Sequence, residues 1–209
     1  DQHIPCRSRG DREDQGEDLM RLEDLVFVTS NTGKLQEAEA VLGRRLDHCA
    51  LDLPEIQTLD LEEVVQGKAR TAWERLRRPV LVEDTSLELA GLGGFPGPLI
   101  RWLLVSVGPE GICTIANSFD DVRATARCLI CATDGTAEVF GEGVVEGTIA
   151  PSPRGDGGFG WDSTFVPSDG GGRSYGEMSE EEKNSISHRH KAFIALRDAL
   201  TAQPPYSGC

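Results

Sequence analysis

Apolar residues along the chain change their period several times, and each change marks an element. Leu25-Val26-Phe27-Val28 is a continuous, β-prone apolar run and predicts a short buried strand. Leu35, Ala38, Val41 and Leu42 then recur at helical spacing as far as Gly43, a suitable helix stop. Leu51 to Glu55 reads as extended, because the residue before Pro54 is biased away from helix. Val64, Val65, Ala69, Ala72 and Leu76 predict a second helix over 61–77, ended by Pro79. Val80-Leu81-Val82 predicts another strand, with Glu83-Asp84-Thr85-Ser86 at its C-terminal end. A Gly/Pro-rich loop over 91–98 precedes a helix over 100–107. Runs at 123–132 and 136–145 predict a hairpin turned by Asp134-Gly135, followed by a loop over 151–160. Ser179-x-x-Glu182 is a capping box, and Ile186, Phe193, Leu196 and Leu200 continue at helical spacing. Ser187 can cap a second helix within that region.

Strands alternating with helices predict an α/β fold. The chain of 209 residues suits one domain with a real core. Residues 1–24 are acidic and arginine-rich and read as a mobile tail, 25–203 as the domain, and 204–209 as a short C-terminal tail. No stretch approaches the roughly 18 apolar residues of a membrane span, and the first residues carry no apolar signal-like region. Lys and Arg number 21 against 35 Asp and Glu, a net charge of -14, which argues against nucleic acid and against anionic membranes as partners. Six cysteines are too sparse for a disulfide scaffold, so reduced thiols and a cytoplasmic location are expected. Cys128 and Cys131 have C-x-x-C spacing, but on a strand they point to opposite faces, and no second pair follows. Core packing is their expected job. Nothing nearby supports His3, His48 or His190 as ligands.

Four constellations carry candidate chemistry. Thr29-Ser30-Asn31-Thr32-Gly33-Lys34 is a strand-to-helix turn whose backbone N–H groups and helix dipole favour phosphate; it reads equally as a capped helix with a solvated lysine. It lacks P-loop spacing. Glu55, Glu83 and Asp84 offer carboxylates of the kind a hard cation shares with substrate phosphates, or plain solvated acids. Gly157-Gly158-Phe159-Gly160-Trp161-Asp162 offers two π faces and an acceptor for a purine base, or two aromatics plugging a loop into the core. Lys183 with Ser187-His188-Arg189 can meet phosphate or a 6-oxo group, or merely close a helix junction.

Taken together and in order, these blocks resemble the inosine triphosphate pyrophosphatase family in its eukaryotic form. The resemblance rests on Val26-Phe27-Val28-Thr29-Ser30-Asn31-x-Gly33-Lys34-Leu35, Asp52-Leu53-Pro54-Glu55, Val82-Glu83-Asp84-Thr85-Ser86-Leu87, Leu92-Gly93-Gly94-Phe95-Pro96-Gly97-Pro98, Phe159-Gly160-Trp161-Asp162 and Glu182-Lys183-Asn184-Ser185-Ile186-Ser187-His188-Arg189. It implies an elongated mixed sheet in two lobes flanked by helices, a cleft between the lobes, and a homodimer. It implies hydrolysis of ITP, dITP or XTP to the monophosphate and pyrophosphate with Mg²⁺, or Mn²⁺ in its place. Thr29 to Lys34 would hold the triphosphate, Glu55 and Asp84 the metal, and Asp84 would also be the catalytic base. Lys68, Thr85, Arg101, Phe159, Gly160, Trp161, Asp162, Lys183, His188 and Arg189 would complete the substrate site. Arg101 stands where eukaryotic members often carry lysine, which keeps the charge on a longer, forked side chain. Competing readings are a pyrophosphatase for another nucleotide, a nucleotide-binding regulator without turnover, and a nucleic-acid module.

Overall fold

The protein is described here by a computed structural model covering residues 20–202. The expected tails lie outside those residues at 1–19 and 203–209, but Met20 is buried beside Phe27 and Leu200, so packing begins ahead of residue 25.

The expected α/β fold is present as one seven-stranded mixed sheet. Its elements are β1 (Val26–Val28), α1 (Thr32–Leu42), β2 (Asp47–Cys49), α2 (Leu61–Leu76), β3 (Val80–Leu89), β4 (Pro96–Gly97), α3 (Ile100–Ala116), β5 (Arg123–Thr133), β6 (Glu138–Ile149), β7 (Phe165–Pro167), α4 (Glu180–Ile186) and α5 (His188–Thr201). The strand order is β2-β1-β3-β5-β6-β7, with β4 on the far part of β3. β2, β1 and β3 are parallel, and every pairing from β3 to β7 is antiparallel.

Local chemistry explains the element ends. Asn31 caps α1 by accepting from Lys34 N at 3.1 Å, and Gly43 ends it in the left-handed region at φ 63°. Asp60 caps α2, accepting from Glu62 N and Glu63 N. Both legs of the Ser179–Glu182 capping box form, and Ser187 accepts from His190 N to open a separate α5. The hairpin turns at Asp134-Gly135, where Asp134 Oδ1 accepts from Thr136 N and Ala137 N.

Three apolar clusters divide the sheet. On one face α1 and α5 cover Phe27, Leu81, Cys128 and Ile130. On the other α2 covers Val28, Val80, Val82, Leu129 and Cys131. The C-x-x-C cysteines thus pack on opposite faces, as strand alternation requires. A third cluster, around Leu87, Ile100, Ile112, Trp161, Phe165 and Tyr175, is the core of the second lobe. The long β3, β5 and β6 run through both lobes.

Some boundaries depart from expectation. β3 continues to Leu89, so Glu83 to Ser86 lie within a strand and not at its end. Pairing with β1 stops at Leu81, just before the apparent end at Val82, whereas pairing with β5 goes on to Leu89–Ala124. α3 extends past Val107 to Ala116, with non-helical backbone at Gly108 before Pro109. β2 and β7 carry no alternation that marks them.

Candidate active site

The site forms where β1 stops while β3 runs on. Beyond Val28 the chain turns into α1, and the uncovered stretch of β3 faces a cleft of about 1140 Å³ between the lobes. That volume accommodates a nucleoside triphosphate. Thr29, Ser30, Asn31, Thr32, Gly33 and Lys34 line it, with Glu55, Lys68, Asp84, Thr85, Arg101, Phe159, Gly160, Trp161 and Lys183. Asn31 N donates to Thr29 Oγ1 at 3.1 Å, which fixes the turn before α1. The N-terminus of α1 therefore opens on the cleft with its dipole positive.

Consecutive residues of β3 serve opposite faces. Asp84 turns toward α2, where Lys68 Nζ lies 3.2 Å from Asp84 Oδ2 and 3.0 Å from Glu55 Oε1. Burial disfavours the Lys68 ammonium, yet Asp84 and Glu55 outweigh it and raise its pKa above the ordinary lysine value. Burial likewise opposes the Glu55 carboxylate, but Lys68 lowers its pKa. Asp84 Oδ1 accepts from Thr85 N at 2.8 Å.

Glu83 turns toward α1 and α5 at the floor of the cleft, its side chain almost wholly buried. Lys34 Nζ lies 2.7 Å from Glu83 Oε1, and Arg189 Nε 2.9 Å from Oε2. Burial would raise the Glu83 pKa, but Arg189 and Lys34 hold it far below the usual carboxylate range. Arg189 also pairs with Glu37 on α1. Glu37 Oε1 and Asp162 Oδ2 each lie 2.6 Å from Lys183 Nζ. Glu37 was not among the residues singled out from sequence; its only signal is its place one helical turn beyond Lys34.

At the aromatic wall of the cleft the Phe159 ring packs on Gly33, where a Cβ would come within 2.9 Å of it. Lys183 Nζ lies 4.7 Å from the Phe159 ring centroid. Trp161 reaches the cleft but is largely core, its ring 5.3 Å from His188 and stacked at 28°. Asp162, His188 and Arg189 stand behind the cleft wall, each buried. Asp162 Oδ2 also accepts from Phe159 N at 2.7 Å, and burial, opposed by Lys183, raises its pKa above the usual aspartate range. Burial, with Arg189 and Lys183 nearby, drives the His188 pKa well below that of a free imidazole. Gly143 allows this close packing: a Cβ there would lie 2.0 Å from His188 O.

No group of three or more metal-ligating side chains occurs among the described residues. Glu55 and Asp84 nevertheless converge on one ammonium with oxygen donors alone. Such a pair fits Mg²⁺, which draws its remaining ligands from phosphates and water.

The arrangement defines an α/β protein with a strand-to-helix turn, a carboxylate pair and an aromatic wall around one interlobe cleft. The Ham1 family profile matches residues 25–199, and the chain belongs to that family. Inosine triphosphate pyrophosphatase 2 of Trypanosoma cruzi is 45% identical over 177 residues, covering 83% of this chain and 90% of that protein. The structure of a HAM1 protein from Coxiella burnetii superposes with a TM-score of 0.71 at 28% identity, covering 86% of this chain and 98% of that one. A nucleoside-triphosphatase, described as a dITP/XTP pyrophosphatase, from Mycobacterium abscessus gives 0.64 at 27%, covering 82% and 97%.

Proposed function

We propose that this chain hydrolyses non-canonical purine nucleoside triphosphates (ITP, dITP and XTP) to the monophosphate and pyrophosphate, which keeps these bases out of DNA and RNA. The observation that carries the reading is the cleft itself: the α1 turn, Lys34, Lys68, Asp84 and the Phe159 wall surround one space of nucleotide size. Family membership and the names of the relatives support it.

A triphosphate carries about four negative charges, which a protein of net charge -14 must neutralise locally. The α1 N-terminus, Lys34, Lys68, Arg101 and Lys183 supply that neutralisation. Arg189 acts from behind, holding Glu37 and Glu83 in place. Glu55 and Asp84 would hold Mg²⁺, or Mn²⁺ in its place, which when bound withdraws charge from the phosphates. Asp84 orients water and accepts its proton as the oxygen attacks the α-phosphorus, and pyrophosphate leaves. Lys68 holds Asp84 and Glu55 together, the two carboxylates that would take the metal.

Purine selection follows from pairing. Hypoxanthine and xanthine present a 6-oxo acceptor, whereas adenine presents a 6-amino donor. Against a site built from donors, adenine leaves a donor facing a donor. Val105 and Val107 on α3, exposed and outside the cleft lining, support a homodimer. The described cysteines Cys49, Cys113, Cys128 and Cys131 are free, and no helix among the described residues is long and apolar enough to cross a membrane. The free thiols support action in the cytoplasm.

The test is pyrophosphate release with Mg²⁺ from ITP, XTP, dITP, GTP, ATP and dUTP, with products separated by chromatography. Monophosphate and pyrophosphate from ITP and XTP, with ATP and GTP far slower, is the expected result. Measurable ITP binding without turnover would make the chain a binding protein.

A further inference from the structure

Cys128 has no part in the chemistry above, yet it touches the site. In the β3–β5 ladder Cys128 stands opposite Thr85, and Glu83 lies two residues along, so all three share the α1/α5 face. Cys128 Sγ lies 3.1 Å from Glu83 Oε2 in a fully buried setting. By contrast, the Cys131 thiol reaches Ala132 O only at 3.8 Å. Burial, reinforced by the Glu83 charge, raises the Cys128 pKa well above that of a free thiol. It therefore stays protonated and can donate.

The Glu83 carboxylate has its donors divided between its oxygens. Cys128 Sγ and Arg189 Nε occupy Oε2. Lys34 Nζ takes Oε1 at 2.7 Å, and Arg189 Nη2 adds only a long 3.5 Å contact there. Two donors pinning Oε2 fix the carboxylate plane, and with it the direction of Oε1. Lys34 lines the cleft, so that direction sets where its ammonium meets a ligand. We propose that Cys128 is a positioning residue of the triphosphate site: its S–H donates to Glu83 Oε2 and fixes the carboxylate that aims Lys34 into the cleft. This rests on the reading of Lys34 as a triphosphate contact.

Cys128→Val removes the donor at the cost of about one extra methyl, whereas Cys128→Ser keeps a donor. KM and kcat for ITP are measured for both, alone and in a Lys34→Ala background. Cys128→Val raises KM by about fivefold, and Cys128→Ser returns it to within about twofold, both with kcat little changed. The Cys128→Val effect vanishes when Lys34 is absent. Where Cys128→Val does not fold, Cys128→Ala takes its place. A wild-type KM in Cys128→Val, equal losses in the Val and Ser variants, or the same loss without Lys34 each overturns the proposal. Infrared spectroscopy supplies a readout independent of turnover. The S–H stretch missing from Cys128→Ser lies below that of Cys131 and moves up in Glu83→Gln; an unshifted band overturns the hydrogen bond. A protein inactive on ITP with a shifted band overturns the substrate reading and leaves the thiol contact standing.

Discussion

The two faces of β3 at Glu83 and Asp84 carry the same kind of group one residue apart and treat it differently. Glu83 is 3% exposed and saturated by Lys34, Arg189 and Cys128. Asp84 is half-buried, faces the cleft, and has one oxygen on Lys68 and one on a backbone amide. A carboxylate held far below its usual pKa by buried counter-ions is a poor proton acceptor. A carboxylate at the cleft edge with a single ammonium partner is less constrained. Strand alternation thus turns the two acids to opposite faces, and on the proposed reading Glu83 belongs to the frame and Asp84 to the chemistry.

The sharpest break of that contrast is Asp84→Asn. Turnover of ITP falls by about 10²–10⁴-fold, the usual weight of a general base, while the urea midpoint moves little. Glu83→Gln gives the opposite profile. It leaves buried Arg189 and Lys34 facing a neutral amide, and the unfolding free energy drops by about 3–5 kcal/mol, read from urea titrations. Matching profiles for the two variants would erase the distinction. His188 extends the framed side to pH. Its imidazole is held neutral in the folded protein, whereas in the unfolded chain it titrates at 6.5. Below 6.5 the unfolded state binds more protons, so stability is full above that pH. It declines as pH falls toward the depressed folded value, by up to about 1.4 kcal/mol per pH unit. His188→Phe flattens that slope in urea titrations at pH 5.5 and 7.5 (about one unit either side of the free value). The smallest effect belongs to the open side. Glu55→Gln raises the Mg²⁺ concentration for half-maximal activity by roughly tenfold, with kcat at saturating Mg²⁺ nearly kept.

Features set by neighbours in the chain were legible before any coordinates. Ser187 as a cap, Gly43 as a stop, the Ser179–Glu182 box and the opposed Cys128 and Cys131 all follow from local rules. Features set by distant partners were not. Glu83 to Ser86 look like a strand end because they are polar, and only pairing with β5 keeps them in a strand. Asp47–Cys49 becomes a strand because β1 offers it a parallel edge. Glu37 joins the site because α4 and α5 bring Lys183 and Arg189 to it, from 146 and 152 residues away. Most candidate site residues were legible as types in order. The division between those on the cleft and those behind it, such as Asp162, His188 and Arg189, needed the burial that only the fold supplies.

The most direct test of the account is a single turnover of ITP in water enriched in the heavy oxygen isotope, with wild-type protein and Asp84→Asn side by side. The account predicts that the label enters the monophosphate, not pyrophosphate, and that Asp84→Asn shows no product on the wild-type timescale. Label in pyrophosphate, or an Asp84→Asn turnover as fast as wild type, would contradict attack on the α-phosphorus by a water that Asp84 prepares.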